Sequence, residues 1–472
     1  MSFRNTALAA AMLLAGTSSL PCLAADGDLD PTFGDGGISF LTPDLVTAQE
    51  FTPYVAKTLP DGKLLFAGSL DAPTSVPFEQ TYRGMFARFN ADGSVDDTFG
   101  NSTIPGVVEL PHLVADHRME HVESIAILGD GSIIAVGISE VTSQEKGFVL
   151  KTDASGLLDD SFGDGGFVLI PLTYPHAVAI DGEGRIVVAG ESIDTTTLIY
   201  TSKVLRFDAA GNADDTFGDG GVASIAWNAQ GNSGYLSDML LADDGIVVAG
   251  QYSVYGEGLG SDFAVAKLDD GGTLDAAFGD GGVSVFHDAT SDSMSNVIRR
   301  LGWAPGGEIV FAAASYPPDP GTGELVLGAL DAGGDVDEAF GDAATPGFAR
   351  PVFATDAQYP NANALIVQPD GKLVVGTSYE PANGREDFAA FRTTTTGTLD
   401  DTFADGGVLL LDLAPDGIYS DLSAMTQQPD GKLVLGGRTK RSDEFLVDLA
   451  VVRLLNGNDV DDTVFSNGFD PG

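Results

Sequence analysis

The chain has 472 residues, of which 69 are acidic and 23 basic, for a net charge of −46, and it has a single cysteine. That charge argues against nucleic acid and anionic membrane surfaces as partners, because both are recognised through positive fields. One cysteine excludes a disulfide framework. At the start, Arg4, the apolar stretch Ala7 to Gly16 and the small residues of Cys22-Leu23-Ala24 read as an export signal over residues 1–24. The apolar run is too short to span a bilayer and nothing later replaces it, so no membrane insertion is expected. Pro21 sits where a lipid-anchoring cysteine needs a small residue before it. The exported chain must then be held by packing, hydrogen bonds or bound ions.

Residues 27–465 are one repeat array. A sign whose fullest form is Asp-x-x-Phe-Gly-Asp-Gly-Gly returns with its Asp and Phe at Asp30 and Phe33, Asp96 and Phe99, Asp159 and Phe162, and Asp214 and Phe217. It continues at Asp275 and Phe278, Asp337 and Phe340, and Asp400 and Phe403, with a degenerate copy at Phe465. A period of about 60 residues means units that cannot bury their apolar faces alone and must stack.

Each unit carries four short stretches rich in β-branched and aromatic residues. In one unit they are Gly166-Phe-Val-Leu-Ile, His176-Ala-Val-Ala-Ile, Arg185-Ile-Val-Val-Ala-Gly and the run ending at Arg206. Their lengths, Gly, Pro and Asp boundaries and lack of helical periodicity make them strands. Pro60-Asp61-Gly62, Pro369-Asp370-Gly371 and Pro429-Asp430-Gly431 are hairpin turns. The expectation is an all-β, seven-bladed propeller of four-stranded antiparallel blades. If the strand after the double glycine is outermost, Gly37 to Leu41 completes the last blade and leaves no open edge. If it is innermost, side-chain packing alone closes the ring; the first arrangement is favoured. In the sign, the aspartate is expected to cap its turn, the phenylalanine to plug the space between blades, and the glycines to allow tight turns. Arg88, Lys151, Arg206, Lys267, Arg392 and Arg453 recur at one repeat position and are expected to pair with those acidic turns.

The combination of this sign with Gln-Pro-Asp-Gly-Lys-Leu-Val-Val-Gly and Phe-Ala-x-x-Arg resembles the delta-60 repeat family of bacterial exported proteins over residues 30–465. Ala404 departs from that pattern by replacing a glycine. The resemblance implies a propeller-like fold and brings no established catalytic residues. The end, Val464 to Asp470, resembles a short Phe-x-Asn-Gly-Phe-Glu tail of exported Gram-negative proteins, here with Asp470 for the glutamate. Residues 466–472 are read as that tail. The implied location is the periplasm, cell surface or medium of a Gram-negative bacterium.

Chemistry is sparse in the sequence. His117-Arg-Met-Glu-His121 matches an inverted zinc-peptidase pattern but lies between strands, where the required helix is missing. Asp92, Asp96, His117 and His121 are weak metal candidates, with Ca2+ as the one cofactor considered; the Asp-Gly turns lack the ligand order of a helix–loop–helix calcium site. There is no nucleophile elbow and no phosphate-cradling loop before a helix. The expectation is an exported, non-catalytic, monomeric propeller that binds a glycan, peptide or cell-envelope partner, or acts as a scaffold, through divergent loops on one face. One alternative is an extracellular hydrolase or lyase with acidic residues at the central channel; another is a structural surface or matrix component. Three or more carboxylates or imidazoles from different blades converging in one pocket would favour the enzyme.

Overall fold

A computed structural model describes residues 25–43, 50–72, 81–113, 119–141, 144–227, 233–253, 260–287, 295–316, 323–352, 361–380, 385–415, 417–441 and 446–457. The expected signal at 1–24, His117, Phe465 and the tail at 466–472 lie outside them. Among the described residues there are 28 strands and no helix. The strands form four-stranded antiparallel units, each built from consecutive hairpins. Two pairs of units are joined into larger sheets by single parallel bridges, Tyr82 to Met119 and Ser261 to Ser295. Most strands in the first three places of a unit run to seven to nine residues, longer than the apolar stretches alone suggest, because polar residues at one end continue the ladder.

The first strand of each unit is innermost. These inner strands are Glu50–Thr58, Met119–Ile127, Tyr174–Ile180, Gly234–Ala242, Ser295–Trp303, Ala364–Val367 and Tyr419–Gln427. The strand after the double glycine pairs with the third strand of its unit and lies outermost, as Val222–Ser224 does on Ile199–Phe207. One unit is assembled from both ends of the chain. Ile38–Leu41 pairs antiparallel with Asp448–Leu454, Ile38 opposite Val452 and Leu41 opposite Leu449.

The core is layered between units rather than within them. Phe51, Phe66 and Met85 of one unit pack with Ala424, Val434 and Leu449 of the unit holding both chain ends. The other core clusters likewise join successive units. A sheet alternates its side chains between two faces, so a strand buried on both sides must be apolar at consecutive positions. Runs such as Ile186-Val-Val-Ala and Leu433-Val-Leu satisfy that and are fully buried.

The repeated sign welds neighbouring units. Each sign aspartate uses one oxygen to accept the N–H two residues on, from Thr32 at 2.9 Å for Asp30 to Thr402 at 3.2 Å for Asp400. In most copies the other oxygen meets the basic residue of the third strand, as in Arg453–Asp30 and Arg392–Asp400, both 2.8 Å. Burial alone would raise the Asp30 pKa, but the Thr32 hydroxyl and N–H and the Arg453 charge hold it below its ordinary value. The same arginines cover the sign phenylalanines: Arg453 lies 4.7 Å from the Phe33 ring centre and Arg88 4.1 Å from Phe99. The far edge of Phe33 meets the next unit at Gly93, where a Cβ would come within 2.7 Å of the ring.

Candidate active site

Six inner strands carry a register irregularity at one repeat position, with an extra residue between Pro53 and Val55, Val122 and Ser124, Pro175 and Ala177, Leu236 and Asp238, Ile298 and Arg300, and Leu422 and Ala424. The extra residues are Tyr54, Glu123, His176, Ser237, Arg299 and Ser423. Asn363, whose N–H donates to Gly376 just before its strand begins, holds the matching place in the remaining unit. A bulge re-aims one side chain out of the alternation. The facing strand makes room for it. At Gly68, Gly137, Gly190, Gly250 and Gly437 a Cβ would sit almost on the carbonyl oxygen of Thr52, His121, Tyr174, Tyr235 and Asp421 respectively. The glycine closing the Val-Val-Ala-Gly run is thus the sequence trace of the bulge.

All of these bulge residues except Arg299 line one cavity of about 590 Å³, together with Arg300, Asn361, Ser378, Glu380, Glu386, Asp421, Leu422 and Arg438. Leu422 is the only aliphatic residue in that lining. The wall is therefore almost wholly polar, and it is assembled from different units.

Its best-defined chemical element is a carboxylate–histidine pair. Nε2 of His176 lies 2.9 Å from Oε1 of Glu191, which is 2% exposed. A carboxylate on one ring nitrogen fixes the tautomer and leaves the other nitrogen, Nδ1, to take up or give a proton. Burial by itself would lower the His176 pKa; the Glu191 hydrogen bond and charge, with help from Glu123, outweigh it and raise it. Glu123 is pushed up by burial, against the opposing charges of His176 and Arg300, so its carboxyl tends to keep a proton. Burial raises the Tyr54 phenol as well.

Deeper in the channel, burial lowers Lys57 and Arg300 and raises Asp238. All three side chains keep accessible surface although protein surrounds them. Asp238 is fixed by the N–H groups of Met239 and Leu301, both at 2.9 Å, and Nε of Arg300 donates to the Asn363 carbonyl at 2.8 Å. On the opposite wall Arg438 bridges Asp421 at 2.8 Å and Glu50 at 2.6 Å. Asp421 is nonetheless raised, because burial outweighs that arginine.

The residues singled out from the sequence lie elsewhere. The sign aspartates and phenylalanines sit in the outer turns. Asp92 accepts from Ser94, and Asp96 is occupied by Thr98, Lys63 and Arg88. His121 stands on an inner strand, its ring 5.2 Å from Tyr82, rather than in a loop. Among the described residues no three His, Cys, Asp or Glu side chains are grouped to hold a metal ion. The pocket residues escaped notice although Glu123 and His176 open their apolar stretches. The signal was a polar residue that changes identity at one fixed repeat position.

Residues 59–99, 241–278 and 368–403 match a family model described as "Domain of unknown function (DUF5122) beta-propeller". The fold is thus similar to that of a β-propeller family. A search of curated proteins finds no match. Solved structures that align include an ulvan lyase, named as a polysaccharide lyase, at 11% identity and TM-score 0.45, covering 88% of this chain and 95% of that one. The β-propeller domain of the Trilobed protease from Pyrococcus furiosus aligns at 9% identity and TM-score 0.44, covering 90% and 98%. A phage phi92 endosialidase aligns at 10% identity and TM-score 0.41, covering 89% and 70%.

The expectation of a non-catalytic binding, scaffold or matrix protein is corrected. Several aligned structures are named as glycan-acting enzymes. At these scores they transfer no residue and no substrate. The pocket itself gathers Glu123, His176 and Asp421 from three units, the convergence that distinguishes the enzyme reading. The polar residues of this wall are spread at about one per repeat, so they form no local motif.

Proposed function

We propose that this is an exported hydrolase or lyase that acts by proton transfer on a saccharide held in the pocket. The observation that carries the reading is the His176–Glu191 pair beside the proton-holding carboxyl of Glu123, on a polar wall. His176 supplies the proton acceptor at Nδ1 and Glu123 the proton donor. The Glu191 charge makes the imidazole a stronger base and burial keeps the Glu123 carboxyl protonated, which supplies the acceptor and the donor that acid–base catalysis needs. The amides of Asn361 and Asn363, the hydroxyls of Ser237 and Ser423 and the charges of Arg300 and Arg438 suit a polyhydroxylated substrate and offer nothing to a large apolar one. Under this reading the strand units are seven blades in a ring closed by Ile38–Leu41 and the chain is a monomer of the delta-60 type. Ring closure matters to the site because the pocket needs inner strands from both ends of the array.

The test is turnover of a panel of neutral, uronic-acid-containing and sulfated polysaccharides by the exported chain. New reducing ends alone indicate a hydrolase; reducing ends with an unsaturated product indicate a lyase. His176→Asn and Glu123→Gln should each lower kcat about 100-fold or more. Wild-type turnover that both variants retain would overturn the assignment.

A further inference from the structure

We propose that the face around the pocket binds a saccharide chain of several units, with Tyr174, Tyr200 and Tyr235 as the platform for units beyond the reacting one. This rests on the functional reading above and extends it from a single sugar to a polymer.

The nine described tyrosines collect toward one end of the strands. Eight lie near the start of a first or third strand of their unit, or near the end of a second, and Tyr54 stands at the bulge of its first strand. Antiparallel order places those three strand ends at the same face, the one where the pocket opens. The large side chains buried to below 2% exposure are all phenylalanine. A phenol is favoured where one edge of the ring is wet, so a face that collects phenols suits a polar ligand.

Three of these rings form a row beside the reacting groups. Tyr174 stands two residues before His176, and Tyr235 two before Ser237 on the next inner strand. Tyr200 lies between them, its ring centre 6.3 Å from Tyr174 and 4.4 Å from Tyr235. All three are half-buried. The hairpin that delivers Tyr200 does two things that folding does not reward. Leu198 holds a left-handed φ of 57° and is 58% exposed, and Ile199 is 38% exposed. A strained backbone carrying exposed apolar side chains gains only when something covers it. Sugar rings pair apolar C–H faces with hydroxylated rims, which matches this mixture of rings, methyls and phenol groups. A peptide would need apolar side-chain pockets, and the lining has only Leu422 to offer.

The full chain is run in affinity gels containing neutral, uronic-acid-containing or sulfated polysaccharide. Calorimetry follows, with short and long oligosaccharides of whichever polysaccharide retards it most. Long chains should bind roughly tenfold or more tighter than short ones. The double variant Tyr200→Ser, Tyr235→Ser should lose that gain while binding the shortest chain as before. Tyr200→Phe keeps the ring and should bind long chains like the wild type. No retardation by any polysaccharide, length-independent affinity, or full long-chain affinity in the double variant would each refute the platform. Because the readout is binding, intact length dependence without turnover would sink only the catalytic reading.

Discussion

Replacing Glu191 by glutamine removes a charge and keeps a hydrogen-bonding side chain of nearly the same shape. In the folded protein the Glu191 carboxylate holds the imidazole of His176 at 2.9 Å and stabilises its protonated form. Two unit charges about 4 Å apart interact by about 4 kcal/mol at an effective dielectric of about 20. His176 is 31% exposed, so solvent screening reduces the retained part to about 1–2 kcal/mol. A histidine whose pKa is raised on folding adds stability that is full below its unfolded pKa and is lost as pH rises through its folded one. Wild-type unfolding free energy should therefore fall by about that amount above neutrality relative to about pH 6, and Glu191→Gln should flatten the decline. The assays are urea unfolding across pH and NMR titration of labelled histidines, with His176 assigned from His176→Asn. In Glu191→Gln the His176 signal should titrate at lower pH than in wild type. An unchanged or higher titration point would refute the argument, since burial and Glu123 alone would then govern the ring.

Gly190→Ala would drive a Cβ onto the Tyr174 carbonyl and should cost about 1–3 kcal/mol in urea unfolding, with the His176 resonance displaced. Ala404 holds φ at 46° where equivalent positions are glycine, so Ala404→Gly should stabilise by about 1 kcal/mol and raise Tm. Arg453→Met leaves the buried Asp30 carboxylate with Lys432, at 3.3 Å, as its remaining cation and should cost about 1.5–3 kcal/mol in denaturant at neutral pH. A depressed aspartate contributes stability present above its unfolded pKa and lost as pH falls through its folded one, so the variant should also unfold at higher pH during acid titration. Truncation through Leu41 removes the strand paired with Asp448–Leu454, and light scattering should report aggregation through the bared edge.

The repeat made most of the architecture legible in the amino-acid order. Apolar runs of strand length, Asp-Gly turns and a sign returning about every 60 residues are local patterns, and local patterns set strands, hairpins and stacking units. Even the bulges leave a trace, as the glycine that ends Val-Val-Ala-Gly. The pairing of Arg88, Arg206, Arg392 and Arg453 with the sign aspartates was likewise readable, because all are spaced alike within every repeat. The pocket was not readable. Tyr54, Glu123, His176, Ser237, Asn363 and Ser423 are spread over some 370 residues of chain, and no two share a local motif. Only the packing of successive units against one another brings them to a common wall, and only there do burial at Glu123 and the Glu191 carboxylate behind His176 raise the pKa of both groups. Chain order determines what each unit is; the proximity of the units determines what the inner residues can do.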